Sequence, residues 1–300
     1  MTRVAVLADI HGNIPALEAV AADIASQGVE EVLVGGDLVG RGPQGSEVIH
    51  RIRQLGWPSV RGNHEDYLLT FRRGQVPPDW LEAEEWSASR WMADELADSD
   101  VPYMQSLPFS IRSRLLPHLH LVHASPQSNN DGIGPWTSRS RMQRHLDAIE
   151  ESVLVCGHTH RTLQQRFADG QVVNVGSVGL PFNADQRAQY AIFEVVAGET
   201  EIEFRQVEYD LDLILKIYES SGFLASGGVT ATLLMLELER AQPFLVPFLQ
   251  WASTLGVPPV TESIEKFRGF YDPDEPIKTF FCRLAELAER DNIEWESDGL

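Results

Sequence analysis

The sequence predicts an α/β fold with two β-sheets and a helical C-terminal extension. Three observations predict it. The first 65 residues alternate short apolar runs with segments of helical spacing, and residues 109–209 pair extended runs around turn signals. After Tyr209 the signals are helical to the end. Strand–helix alternation implies parallel strands covered by helices, whereas the later hairpins make the second half of the core more antiparallel.

In order, "RVAVLAD" is a buried strand, and "PALEAVAADIASQG" a helix with a proline near its start and a glycine at its end. "EEVLVGGD" is the next strand, "GSEVIHRIRQLG" the next helix, and "WPSVRGN" a third strand. Residues 78–106 are acidic and helical, punctuated by Trp80, Trp86, Trp91 and Met92 at spacings typical of packing. "FSIRSRLLPHLHLVHA" reads as a hairpin, "RSRMQRHLDAIEE" as a helix and "SVLVCGHTH" as a strand. "TLQQRFADGQVVNVGS" folds back at Asp169-Gly170, and "QYAIFEVVAGETEIEFRQVEY" is a further hairpin. The acidic last sixteen residues read as a solvated tail.

A chain of 300 residues supports one large α/β domain or a core with an appendage. Its 24 basic and 44 acidic residues give a formal charge of −20, which argues against a sequence-independent grip on nucleic acid. A small phosphorylated substrate stays compatible, because a metal ion supplies positive charge locally. Cys156 and Cys282 form no disulfide framework and suit a reducing compartment. "MTRVAVLADIHGN" lacks the features of a signal peptide, and no run approaches the ~20 apolar residues of a membrane span. The expectation is a soluble cytoplasmic protein without a membrane partner.

Polar clusters stand at the ends of these strands, where open α/β sheets place ligands. They are "ADIHGN" (Asp9, His11), "GGDLVGRG" (Asp37, Arg41), "RGNHE" (Asn63, His64), "LVHASP" (His123) and "GHTH" (His158, His160). Singly, each has a bland explanation: an Asp after a strand is commonly a helix cap, and a lone His a hydrogen-bonded surface group. Five strand ends carrying N and O donors in this order are hard to reach by chance.

In these five motifs the chain resembles the calcineurin-like metallophosphoesterase superfamily, in its compact bacterial and archaeal phosphodiesterase-like branch. The resemblance covers residues 2–210, and up to 240 at its widest. It implies a sandwich of two mixed β-sheets flanked by helices, with a dinuclear metal centre at the strand ends. It divides the chain into a 1–210 core, including the 78–106 insertion, and a 211–300 helical extension packed on the core or at a homo-oligomer interface.

Carried over residue by residue, one ion takes Asp9, His11, Asp37 and His160, and the other takes Asp37, Asn63, His123 and His158. Imidazole with carboxylate suits two divalent transition-metal ions, manganese first, then Fe, Zn, Co or Ni. Such ions ~3.5–4 Å apart hold a bridging hydroxide and clamp a phosphoryl group for in-line attack. His64 resembles the family's general acid.

Three assignments compete with alternatives. His118 and His120 lie earlier in the extended run that ends at His123, so cross-strand or solvent-facing roles fit them better. His50 and His145, in helices without a partner motif, read as surface residues. Arg41 matches the phosphate-binding arginine of the Ser/Thr protein phosphatase branch, but Gly40 stands where that branch has a carboxylate. Loops after His123 and after the 163–174 hairpin are rich in glycine and asparagine, and the family uses such loops near its substrate. Asn174, Gly176 and Ser177 are therefore candidates for substrate contact or for support behind it.

The expected activity is hydrolysis of a small phosphate mono- or diester. The alternatives are a Ser/Thr-type protein phosphatase, a dinucleoside polyphosphate hydrolase, a nuclease, or a silent binding protein on the same fold, as the retromer subunit of that lineage is.

Overall fold

The computed structural model describes residues 2–290. The acidic tail beyond Arg290 lies outside the described residues, and the residues just before it continue the last helix. The chain opens with β1 (Arg3–Leu7), α1 (Ile14–Ser26), β2 (Glu31–Val34), α2 (Gly45–Leu55) and α3 (Asn63–Arg72). Two 3₁₀ turns, Pro78–Leu81 and Glu84–Trp86, lead to α4 (Ser87–Glu95) and α5 (Asp100–Ser106). Next come β3 (Ser110–Arg112), β4 (Leu119–Val122), α6 (Arg139–Leu146) and β5 (Val153–Cys156). Two hairpins follow, β6 (Leu163–Arg166) with β7 (Gln171–Asn174), and β8 (Ala188–Val196) with β9 (Glu199–Val207). The chain closes with α7 (Leu211–Ser220), α8 (Phe223–Ser226), α9 (Gly228–Arg240), α10 (Leu245–Leu255), α11 (Ile264–Arg268) and α12 (Ile277–Arg290).

Two mixed sheets form, in the orders β2-β1-β8-β9 and β3-β4-β5-β7-β6. Strand alternation explains how they stack, since successive side chains point to opposite faces. Val4 and Val6 of β1, Ala191 and Phe193 of β8, Leu119 and Leu121 of β4, and Val153 and Val155 of β5 share one apolar cluster between the sheets. The intervening residues face outward. Ala5 and Leu7 pack with Leu17 and Val20 of α1, while Leu154 and Cys156 pack with Met142 and Leu146 of α6. The result is a sheet-on-sheet sandwich with helices on both outer faces.

The observed pairing departs from the sequence reading in two ways. "WPSV" makes a single bridge, Ser59 to Val34, rather than a strand. Pro58 has no N–H to give a ladder, and the Arg61 N–H turns away to the carbonyl of Pro108 at 2.8 Å. The second half of the core is also less antiparallel than expected, because β4, β5 and β7 run parallel to one another.

The C-terminal helices pack on this sandwich. Ala231, Leu234 and Leu238 of α9 join the cluster that contains β1 and α1, and Trp91 of α4 lies 5.1 Å from Phe223 of α8. The opposite side of α9, Val229 and Leu233, joins Phe248, Trp251, Phe267 and Phe280 in a separate aromatic cluster. Trp80 stacks on Trp86 at 3.7 Å, so the tryptophans of the insertion serve packing. Among the described residues, no helix is long and apolar enough to cross a membrane.

Candidate metal centre

Parallel pairing brings the C-terminal ends of β1 and β2 to one edge of the first sheet, and those of β4, β5 and β7 to one edge of the second. The loops leaving these ends are laced together. Ile10 and His11 donate their N–H groups to the Asp37 carbonyl at 2.9 and 3.0 Å, and Gly12 donates to Leu38 at 3.0 Å. Asp9, His11, Asp37, Arg41, His158 and His160 all have φ between 52° and 67°. Left-handed backbone costs a non-glycine residue ~1 kcal/mol or more, and its clustering marks a site that the surrounding fold holds in place. Gly157 is required for close approach: a Cβ there would lie 2.5 Å from Asp9 Oδ2.

His11, His160 and His123 present lone pairs inward because their other nitrogens are engaged. His11 Nδ1 faces the carbonyls of Val39 and Gly40 at 3.2 Å, and His160 Nδ1 faces that of Leu180 at 2.6 Å. Each Nδ1 therefore carries the proton, which leaves two bare Nε2 atoms 3.0 Å apart. Asp37 Oδ2 lies 3.7 Å from one and Asp9 Oδ1 3.7 Å from the other. Asp9 Oδ1 is buried and has no hydrogen-bond partner among the described residues. Beyond Asp37 the pattern repeats. His123 Nδ1 donates to the Gly35 carbonyl at 2.8 Å, so its Nε2 is bare beside Asn63 Oδ1 at 2.8 Å, His158 Nδ1 at 3.2 Å and Asp37 Oδ2 at 3.4 Å.

Protonation does not relieve this crowding. Burial drives His11 and His160 well below the usual imidazole range, His123 down to about 4 and His158 to about 3. Burial, then the charge of Asp37, pushes Asp9 well up, and burial pushes Asp37 up to about 7. Neutral imidazoles with lone pairs turned inward and carboxylates short of positive charge form a donor set that fits divalent cations. Asp9, His11 and His160 form one such group, Asp37, His123 and His158 another, and His11, Asp37 and His64 a third.

All seven sequence-predicted ligands therefore converge. His64 adjoins them as the second residue of α3. Its N–H donates to Asp37 Oδ1 at 2.9 Å and its ring sits 5.0 Å from that of His11. Arg41 Nε donates to His64 Nε2 at 3.2 Å.

Asn174 and Ser177 are fully buried under the loops. The two N–H groups of the Asn174 amide are shared among the Gly157 and Ile133 carbonyls and Thr159 Oγ1, and its oxygen accepts from Gly176 N, which braces the "GHTH" loop. Ser177 Oγ donates to the Asp9 carbonyl at 2.8 Å and accepts from Leu180 N. His118 and His120 bond Thr200 and Glu151, both at 2.7 Å, away from the site. His50 is exposed beside Asp100, whereas His145 is buried against Gln127, because the loop after β4 covers the end of α6.

The sequence reading did not single out Glu65. Its buried carboxylate accepts from the N–H groups of Asp37, Leu38 and Gly62 at 3.1, 2.7 and 2.7 Å and clamps the β2 loop to the start of α3. Burial, then Asp37, pushes it up to about 8. An acid at the third position of a helix is the signal that could have found it.

A model of the calcineurin-like phosphoesterase superfamily domain matches residues 2–198. The chain belongs to the calcineurin-like phosphoesterase superfamily. It is a phosphoesterase of a metal-dependent family, with candidate His and Asp metal-binding residues. An uncharacterized protein of Methanocaldococcus jannaschii is 28% identical over 236 residues, 73% of this chain and 91% of that protein. Serine/threonine-protein phosphatase 1 of Salmonella typhimurium is 28% identical over 190 residues, 58% of this chain and 86% of that one. The crystal structure of a metallophosphoesterase from Sphaerobacter thermophilus matches with a TM-score of 0.65 at 26% identity, covering 80% of this chain and 100% of that chain.

Proposed function

We propose that this phosphoesterase binds two divalent transition-metal ions that share Asp37 and hydrolyses a small phosphate mono- or diester. The observation that carries the proposal is the pair of inward-facing donor sets meeting at one Asp37 oxygen, 3.7 Å from His11 Nε2 and 3.4 Å from His123 Nε2. Asp9, His11 and His160 complete one set, and Asn63, His123 and His158 the other. Asn63 is a neutral ligand, which leaves net positive charge for a phosphate. The mixed imidazole and carboxylate donors suit manganese, and also Fe, Zn, Co or Ni. When bound, such ions supply Lewis acidity and an acidified water.

The chain's own residues do the rest. His64, partly exposed at the edge of the ligands, is the proton donor to the leaving oxygen; its Nε2 accepts from Arg41, so the proton it gives is carried on Nδ1. Arg41 engages two of its five N–H donors, on His64 and on Glu237, and offers the others to phosphate oxygens. Its left-handed backbone places the guanidinium beside His64 and over the ring of Phe182, which stacks on His160 at 4.6 Å.

A phosphoprotein substrate is the second reading, favoured by the similarity to the Salmonella protein phosphatase. Gly40, in place of that branch's carboxylate, counts against it.

Metal-loaded protein should hydrolyse bis-p-nitrophenyl phosphate or p-nitrophenyl phosphate with about two ions per chain; neither turnover nor metal uptake would end the proposal. His64→Ala should lower turnover about 10²–10⁴-fold with its metal retained. Loss of metal from that variant would make His64 a ligand instead.

A further inference from the structure

The superfamily match ends at residue 198, yet α9, beginning at Gly228, delivers a carboxylate to the site. Glu237 is fully buried. Its Oε2 accepts from Arg41 Nη1 at 2.8 Å, and its Oε1 accepts the N–H groups of Phe244 and Leu245 at 2.8 and 2.9 Å. The carboxylate is thus fixed by backbone on one side and grips the guanidinium on the other. The same guanidinium holds His64 through Nε. A second contact from the extension acts on the Arg41 backbone: the Tyr218 hydroxyl of α7 donates to the Arg41 carbonyl at 2.6 Å. That contact pins a residue whose φ of 61° is unfavourable without support. The adjacent position cannot supply the anion, because a Cβ on Gly40 would lie 2.3 Å from His64 Nδ1.

We propose that Glu237 is a positioning residue that, with Tyr218, holds Arg41 against His64, so that the helical extension completes the catalytic site. The proposal rests on the roles given to Arg41 and His64 above. A buried carboxylate bonded to an arginine is strong when paired and costly when broken, so it fixes one geometry.

Glu237→Gln separates this role from folding. The amide oxygen can still accept from Phe244 and Leu245, but its NH₂ then meets Arg41 Nη1, donor against donor. In the metal-loaded full chain, kcat/KM should fall roughly 10- to 100-fold on a phenyl phosphate ester. The fall should be smaller on the p-nitrophenyl ester, whose leaving group departs with less need of a proton. Metal content should not change, and in an Arg41→Ala background Glu237→Gln should cost nothing further.

Wild-type kcat/KM in Glu237→Gln, equal losses on both esters, or a loss that adds fully to that of Arg41→Ala overturns the proposal. If Glu237→Gln melts below the assay temperature, Tyr218→Phe carries the test. A severalfold, leaving-group-dependent loss supports the proposal and an unchanged rate overturns it. A metal-loaded wild type inactive on every ester removes the phosphoesterase reading and Glu237's role with it. An active wild type beside an indifferent Glu237→Gln removes Glu237's role alone.

Discussion

The strand-end loops and the aromatic cluster of the C-terminal helices are both buried, for opposite reasons. The loops bury what a fold normally avoids: six left-handed non-glycine residues, bare imidazole nitrogens 3.0 Å apart, and a carboxylate oxygen without a partner. The aromatic cluster buries what a fold prefers. Phe267 packs edge-on against Phe248 and Phe280 and stacks on Tyr271 at 5.0 Å, while the Tyr271 hydroxyl donates to the Pro243 carbonyl. One region concentrates unfavourable electrostatics that a cation would resolve, and the other contributes dispersion and apolar burial. The lesson is that burial alone does not report stabilisation; satisfaction of the buried groups does.

Three experiments bear on that contrast. Asp37→Asn should have the largest effect, lowering turnover on the order of 10³-fold or more and reducing metal content, because both donor sets use this carboxylate. Its metal-free melting temperature at pH 8 should hold or rise, since an amide is buried without a charge to neutralise. A metal-free form that melts well below wild type would show that the loops are less conflicted than their geometry implies. Phe267→Ala should cost about 3–5 kcal/mol in denaturant unfolding with metal content of the folded fraction unchanged. A cost under about 1 kcal/mol would break the contrast from the other side.

The smallest effect is one of pH. Asp37 is pushed up to about 7 and Glu65 to about 8, so the folded metal-free protein keeps protons that the unfolded chain has already released. Stability on their account is present at low pH and lost as pH rises through 7 and 8. The buried histidines act in the other direction: with His123 held down to about 4, their contribution is lost as pH falls from ~6.5 towards 4. Cations bound at the site would replace the protons on Asp37, so added Mn²⁺ should raise the melting temperature by more at pH 8 than at pH 6. A gap that narrows towards pH 8 would contradict the reading.

The seven candidate ligands were legible in the sequence because each follows an apolar run by one to five residues, and strand ends are where open sheets place ligands. His123 could be chosen over His118 and His120 on that positional ground alone. The contacts that hold the site together were not legible. Glu65 reads as an ordinary residue of the first turn of a helix, and its bonds to Asp37 and Leu38 depend on how the β2 loop meets α3. Glu237 sits in an apolar helix 196 positions from Arg41, and no local pattern signals a contact of that span. Asn174 and Ser177 stood as candidates for substrate contact or for support behind it, and glycine-rich loops give no periodicity from which to choose between the two. "WPSV" follows a helix where the strand–helix alternation calls for a strand; Pro58 and the turn of the Arg61 N–H to Pro108 decided otherwise.

The central strand β1 is made first and completed late. Val4 pairs with Glu31 on one side but with Phe193 on the other. At ~5–20 residues per second, a ribosome leaves that second edge without its neighbour for roughly 10–40 s. During synthesis the nascent chain therefore carries an apolar ribbon with one open flank, and Asp9 and His11 wait with it until the far end of the domain emerges.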